Sequence, residues 1–157
     1  MNVNVRIADK NEKKEIVNIL MQVSKLHSDN RPDIFKEKKI CEIMKEIEEI
    51  FDDPEKTIIV AESDNKICGV EICKTRLIKD HINLQDACVF SIDEICVDEN
   101  YRKKGIGAAL IEEAKRLSKK NKCKRLELNC WEFNESAMEF YINKGFKIQK
   151  RFLEMDI

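Results

Sequence analysis

The sequence predicts a single α/β (α+β) domain over residues 1–157, with a mixed, mostly antiparallel central sheet of six to seven strands and helices on both faces. Three observations predict it. Short apolar runs suited to strands alternate with longer runs at helical spacing, in the order β-α-α-β-β-β-α-β-α-β. A hairpin pattern occupies the middle of the chain. The length suits one sizeable core, and no internal repeat, low-complexity tract or linker divides it.

Residues 1–8, from Met1 to Ala8, alternate as a first strand, with Val3, Val5 and Ile7 on one face. Asp9 then caps a helix, and Glu12 stands three residues on, as in a capping box. Ile16, Ile19, Leu20, Val23 and Leu26 recur at helical spacing to about His27. After a turn-rich break at 28–33, a second helix runs through Ile40, Met44, Ile47 and Phe51 and stops at Asp52-Asp53-Pro54. Residues 57–61 and 67–73 form the predicted hairpin. A polar connection over 79–86 leads to a strand at 88–97, which feeds a glycine-bearing turn. Ile106, Ala109, Leu110, Ala114 and Leu117 give the next helix a buried stripe, while Lys115, Lys119 and Lys120 suit the negative end of its dipole. Leu126, Leu128 and Cys130 alternate as another strand. Asn134 opens a short helix with Ala137, Met138, Phe140 and Tyr141 on its apolar face, and Gly145 fits the position past its end. Residues 146–155 are predicted to return as a final strand.

A formal net charge of -1 with 38% charged residues disfavours a polyanionic partner such as nucleic acid. Neither a signal peptide nor a membrane span is visible, which predicts a cytoplasmic protein. The seven cysteines, Cys41, Cys68, Cys73, Cys88, Cys96, Cys123 and Cys130, include no Cys-x-x-Cys pair. This argues against a metal site and a disulfide framework, and leaves most of them as small buried hydrophobes.

From Arg102 to Gly107 the chain carries three cations and two glycines where a helix begins. Unpaired backbone N–H groups and a positive dipole end favour an anion there, and Gly105 and Gly107 let a phosphate approach the backbone. The alternative is an ordinary strand-to-helix turn. The spacing fits neither a Walker loop nor a dinucleotide loop. Arg102-x-x-Gly105-x-Gly107 instead resembles the pyrophosphate-binding signature Gln/Arg-x-x-Gly-x-Gly/Ala of the GNAT superfamily of N-acetyltransferases. A second stretch, Asn134-x-x-Ala137-x-x-Phe140-Tyr141-x-x-x-Gly145-Phe146, is similar to a later motif of the same family. The resemblance is tight over 88–146 and extends loosely, through the order of elements, over the whole chain.

The resemblance implies acetyl-coenzyme A as cosubstrate. Its pyrophosphate would lie on the backbone of Lys103, Lys104, Gly105, Ile106, Gly107 and Ala108 beside Arg102, and its pantetheine arm along Ile95, Cys96 and Val97. A β-bulge in that strand would supply a free N–H as an oxyanion hole. Asn134 would hydrogen-bond the pantetheine, although a helix cap needs it equally. The Tyr141 hydroxyl would protonate the departing sulfur, since a phenol with a pKa near ~10 keeps its proton at neutral pH; the alternative is a core aromatic. Strand alternation puts Ser91, Asp93, Ile95 and Val97 on one face, which makes Asp93 the candidate base, or else a solvated strand residue. Glu94 faces the other way unless the bulge intervenes.

The acceptor site of this family is walled by the first two helices and by loops, which here offer His27, Arg31, Asp33, Phe35, His81 and Trp131. Enzymes that acetylate a ribosomal protein's N-terminus carry a glutamate base where Asn129 stands. That departure favours a small-molecule primary amine as acceptor. The alternatives are a protein or peptide N-acetyltransferase, or a regulatory domain that binds coenzyme A without catalysis. A homodimer is possible.

Overall fold

The computed structural model describes residues 2–157, so Met1 of the expected first strand lies outside the described residues. Five strands form one sheet in the order β1 (Asn4–Ile7), β2 (Lys56–Ser63), β3 (Lys66–Ile78), β4 (Ala87–Val97) and β5 (Arg125–Leu128). Strands β1 to β4 pair antiparallel with their neighbours, and β5 joins β4 in parallel. Between β2 and β3, Asp64 and Asn65 both take positive φ (52° and 59°), as a two-residue hairpin turn requires.

Helices α1 (Lys13–Asn30) and α2 (Ile40–Asp52) cover one face of the sheet; α3 (Ile106–Lys120) and α4 (Glu135–Asn143) lie on the other. Period-two alternation sorts the strands between them. Ile58, Val60, Val70, Ile72 and Cys96 meet Ile16, Val17, Leu20, Ile43 and Ile47 on the α1 side. Ile59, Ala61, Cys73, Phe90 and Ile92 meet Ile106, Leu110, Ile111 and Ala114 on the α3 side. Gly69 sets the depth of this second layer. A Cβ there would lie 2.9 Å from Ile106 Cγ2 and 3.1 Å from Leu110 Cδ1, so only glycine lets α3 sit this close to the sheet.

Asp9 and Glu12 do form a capping box. The Asn11 N–H donates to Asp9 Oδ1 (2.8 Å) and the Asp9 N–H to Glu12 Oε2 (2.7 Å). It opens a single 3₁₀ turn, after which α1 continues to Asn30 rather than ending near His27.

Two further expectations need correction. Among the described residues the sheet has five strands, because the 146–155 segment forms none. Phe146 and Ile148 alternate with Lys147 and Gln149, but Lys150 breaks the alternation, Leu153 and Met155 fall out of phase with it, and Phe152, Leu153 and Met155 remain exposed, so no continuous apolar face docks the segment against β5. Cys88 and Cys123 are joined as a disulfide, although they lie 35 residues apart in sequence. Parallel pairing of Val89 with Arg125 brings them together, a contact that local spacing does not encode.

Candidate active site

Strand β4 outlasts one of its neighbours. Pairing with β5 covers Val89 to Ile92 against Arg125 to Leu128 and stops, while β3 accompanies β4 as far as Val97. From Asp93 onward, the side of β4 turned away from β3 is therefore an open edge that an extended ligand can pair with. Register slips within this same stretch. Ile72 faces Glu94 but Cys73 faces Ile92, so Asp93 is the extra residue of a β-bulge.

The bulge overturns simple alternation along β4. Ile95 and Val97 pack with Phe90 and Ile92 on the α3 side, whereas Glu94 and Cys96 stand opposite Ile72 and Val70 on the α1 side. Ser91 and Asp93 thus do not share a face with Ile95 and Val97. Asp93 is exposed and accepts a hydrogen bond from Ser91 Oγ (2.9 Å). Glu94 is half-buried, and loss of hydration pushes its carboxyl pKa up against the pull of Lys38.

Beyond Val97 the turn is braced from α1. Gln22 Nε2 donates to Asp98 Oδ2 (3.2 Å), and the Glu99 N–H donates to Gln22 Oε1 (3.1 Å). The chain then bends through Lys103 and Gly105, whose φ values are 60° and 84°. Gly105 is the N-cap of α3, and no side chain caps that end. The first helical bond runs from the Ala109 N–H to Gly105 O (3.0 Å), which leaves the N–H groups of Ile106, Gly107 and Ala108 directed out of the helix. A Cβ on Gly105 would meet nothing within 4 Å, so the space before these donors is open. Arg102, Lys103 and Lys104 surround it as exposed cations. Arg102 Nε donates to Val97 O (3.2 Å) and Lys104 Nζ to Asn100 O (2.8 Å), which holds both side chains beside the turn. This chemistry fits a pyrophosphate.

Helix α4 joins the site through Gly107, where a Cβ would lie 3.2 Å from Phe140 Cζ. Asn134 Oδ1 caps α4 by accepting from the Ala137 N–H (3.3 Å), so the structural role of Asn134 is filled. Tyr141 is packed edge-on between Phe140 (5.4 Å) and Phe146 (5.9 Å) and is 8% exposed. Burial pushes its phenol pKa above the ordinary tyrosine value, which keeps the hydroxyl protonated at neutral pH. Tyr141, Cys130, Trp131 and Phe152 line a cavity of about 860 Å³ bounded by β5, α4 and the C-terminal segment.

Of the acceptor-wall candidates, His27, Arg31, Asp33, Phe35 and Trp131 come together. His27 stacks on Phe35 (4.9 Å), Phe35 meets Trp131 edge-on (5.2 Å), and Arg31 Cζ lies 5.6 Å from the centre of the Trp131 ring. Phe133, which sequence reasoning missed, closes the circuit by stacking on Trp131 (6.0 Å) and meeting His27 edge-on (6.1 Å). Its only sequence signal is its place two residues after Trp131. His81 lies outside this cluster, in the exposed loop between β3 and β4, where its Nδ1 accepts from the Asn83 N–H (3.1 Å).

Glu71 was also missed. On β3, opposite Ile95, it is fully buried and neither carboxyl oxygen has a hydrogen-bond partner among the described residues. Burial pushes its pKa up to about 8, with a smaller contribution from the Glu113 carboxylate on α3.

A parted strand pair, a bulge and an open helix end around Arg102-x-x-Gly105-x-Gly107 fit one family, and the profile of the Acetyltransferase (GNAT) family matches residues 20–146. The chain belongs to the GNAT family. An uncharacterised N-acetyltransferase of Methanocaldococcus jannaschii is 36% identical over 88 residues, which cover 56% of this chain and 38% of that relative. The match thus spans well under half of the relative's length. Among solved structures, the GNAT chain superposes on a tetramutant of the BH1408 protein of Bacillus halodurans with a TM-score of 0.93 at 24% identity, covering 98% of this chain and 99% of that one. The aminoglycoside N-acetyltransferase AAC(6')-Iy, solved with coenzyme A, gives a TM-score of 0.80 at 16% identity over 99% and 95% of the two chains. At these identities the structures share the fold.

Proposed function

We propose that this protein transfers an acetyl group from acetyl-coenzyme A to a primary amine of a small molecule. The observation that carries the reading is the open edge of β4 from Asp93 to Val97, bulged at Asp93 and leading directly into the uncapped, cation-ringed start of α3. When bound, acetyl-coenzyme A supplies an activated acyl group as a thioester. The N–H groups of Ile106, Gly107 and Ala108, with Arg102, Lys103 and Lys104, hold the pyrophosphate. Ile95, Cys96 and Val97 pair their main chain with the pantetheine, and a backbone N–H freed by the bulge stabilises charge developing on the thioester oxygen.

In the transfer, the amine nitrogen bonds to the thioester carbon, the carbon–sulfur bond breaks, one proton leaves nitrogen and one reaches sulfur. Tyr141 holds the second proton. The first is taken by a carboxylate at the bulge, where Asp93 is exposed and Glu94 is half-buried with its pKa pushed up by loss of hydration, which strengthens it as a proton acceptor. A bisubstrate analogue joining coenzyme A to an acetylneamine has been solved on AAC(6')-Iy, which supports a small amine as acceptor on this fold.

The test is thiol release from acetyl-coenzyme A across a panel of amino acids, arylalkylamines, polyamines, aminoglycosides and peptides. Release that depends on a small amine supports the reading. Tight coenzyme binding without acceptor-dependent release contradicts it and leaves a regulatory binding domain.

A further inference from the structure

Four rings at the end of α1 and after β5 form a closed circuit, His27 to Phe35 to Trp131 to Phe133 and back to His27, with centroids 4.9–6.1 Å apart. Its charged member is Arg31. The backbone N–H of Arg31 donates to His27 O (2.8 Å), and Asp33 occupies the Nε and Nη2 edge of its guanidinium at 2.7–3.1 Å. The outer fork is taken by a different carboxylate. Glu154 places Oε1 at 2.7 Å from Nη1 and Oε2 at 3.0 Å from Nη2, the end-on bidentate geometry in which arginine reads a carboxylate.

Glu154 comes from a segment without regular structure, where Phe152, Leu153 and Met155 are 94%, 86% and 85% exposed. Its carboxylate is itself more than half exposed, and such ion pairs contribute little to stability. A ligand carboxylate can therefore displace it at small cost. Of the carboxylates nearby, Asp33 is committed to Arg31, and Glu46 and Glu94 share Lys38, whose charge also reaches His27. Aromatic walls around one readable cation suit an apolar body carrying one negative group.

Resting on the acetyl-transfer reading, we propose that the acceptor is an amino-carboxylate with an apolar or aromatic side chain. Arg31 binds its carboxylate at the fork that Glu154 now fills, and the rings of His27, Phe35, Trp131 and Phe133 hold its body. Trp131 also lines the cavity that contains Tyr141. Glu154 acts as an internal competitor for the fork.

The experiment compares L-phenylalanine with phenethylamine, which keeps the amine and ring but lacks the carboxylate, and with kanamycin and spermidine as polycations. L-phenylalanine is expected to exceed phenethylamine in kcat/KM by roughly tenfold to a hundredfold, the usual worth of a charge-assisted bidentate contact. Arg31→Gln is expected to erase most of that ratio by raising KM. Glu154→Gln, a surface change that leaves the fold intact, is expected to lower KM for L-phenylalanine. Preference for kanamycin, spermidine or phenethylamine overturns the inference while leaving acetyl transfer standing. If no amine is acetylated, the function reading fails, and calorimetry with L-phenylalanine decides the inference separately. Binding that weakens in Arg31→Gln and tightens in Glu154→Gln upholds it; no binding, or equal binding to all three proteins, overturns it.

Discussion

Glu71→Gln should make the protein more stable at neutral and alkaline pH and flatten its pH dependence. The native carboxyl is fully buried without a partner, and its pKa is about 8 against an ordinary value of 4.5. The folded state therefore binds the proton more tightly than the unfolded chain does. Any benefit of that protonated carboxyl is complete below the unfolded pKa and is lost as pH rises through the folded one. Each pH unit in that window removes about 1.4 kcal/mol, so roughly 3 kcal/mol is lost by pH 7 and about 5 kcal/mol above pH 8. Glutamine has nearly the shape of the protonated acid and cannot ionise. Urea unfolding of both proteins between pH 4.5 and 8.5 measures the difference directly: near-equal midpoints at pH 4.5, and a variant advantage that widens with pH. Parallel stabilities across the range would mean that the Glu71 carboxyl is not destabilised by ionising in place, and the reasoning would fail.

Tyr141→Phe should reduce kcat by roughly 10²–10⁴-fold with a smaller change in KM for acetyl-coenzyme A, since the hydroxyl acts only as the carbon–sulfur bond breaks; single-turnover kinetics read the chemical step. Gly105→Val should abolish acetyl-coenzyme A binding by calorimetry, because a branched side chain at φ 84° is strained and fills the open space before the α3 donors. Gly69→Ala should destabilise the fold by about 1–3 kcal/mol in urea, because its Cβ would press Ile106 and Leu110 out of the sheet's second layer.

The fold was legible wherever burial is periodic. The stripe of α3 and the hairpin of β2 and β3 read directly from residue spacing, as did the glycine turn. What stayed hidden depends on contacts between distant residues. A one-residue bulge at Asp93 changes which face each following residue occupies, and period-two alternation carries no sign of it. The Cys88–Cys123 bridge depends on a parallel pairing, whereas the break in alternation at Lys150 that keeps 146–155 from forming a strand stands in the sequence itself. Five acceptor-wall candidates converge, but Phe133 joins them through tertiary packing alone. Glu71 reads as one carboxylate in an apolar strand, and only the covering by α3 makes it a buried acid.

Backbone amide NMR during titration with acetyl-coenzyme A tests most directly whether the open edge of β4 and the start of α3 form one coenzyme site. The predicted result is a set of saturating shift changes concentrated at Ile95 to Val97 and at Gly105 to Ala108. Changes confined to the cavity between β5, α4 and the C-terminal segment, with Ile95 to Val97 and Gly105 to Ala108 unmoved, would contradict it.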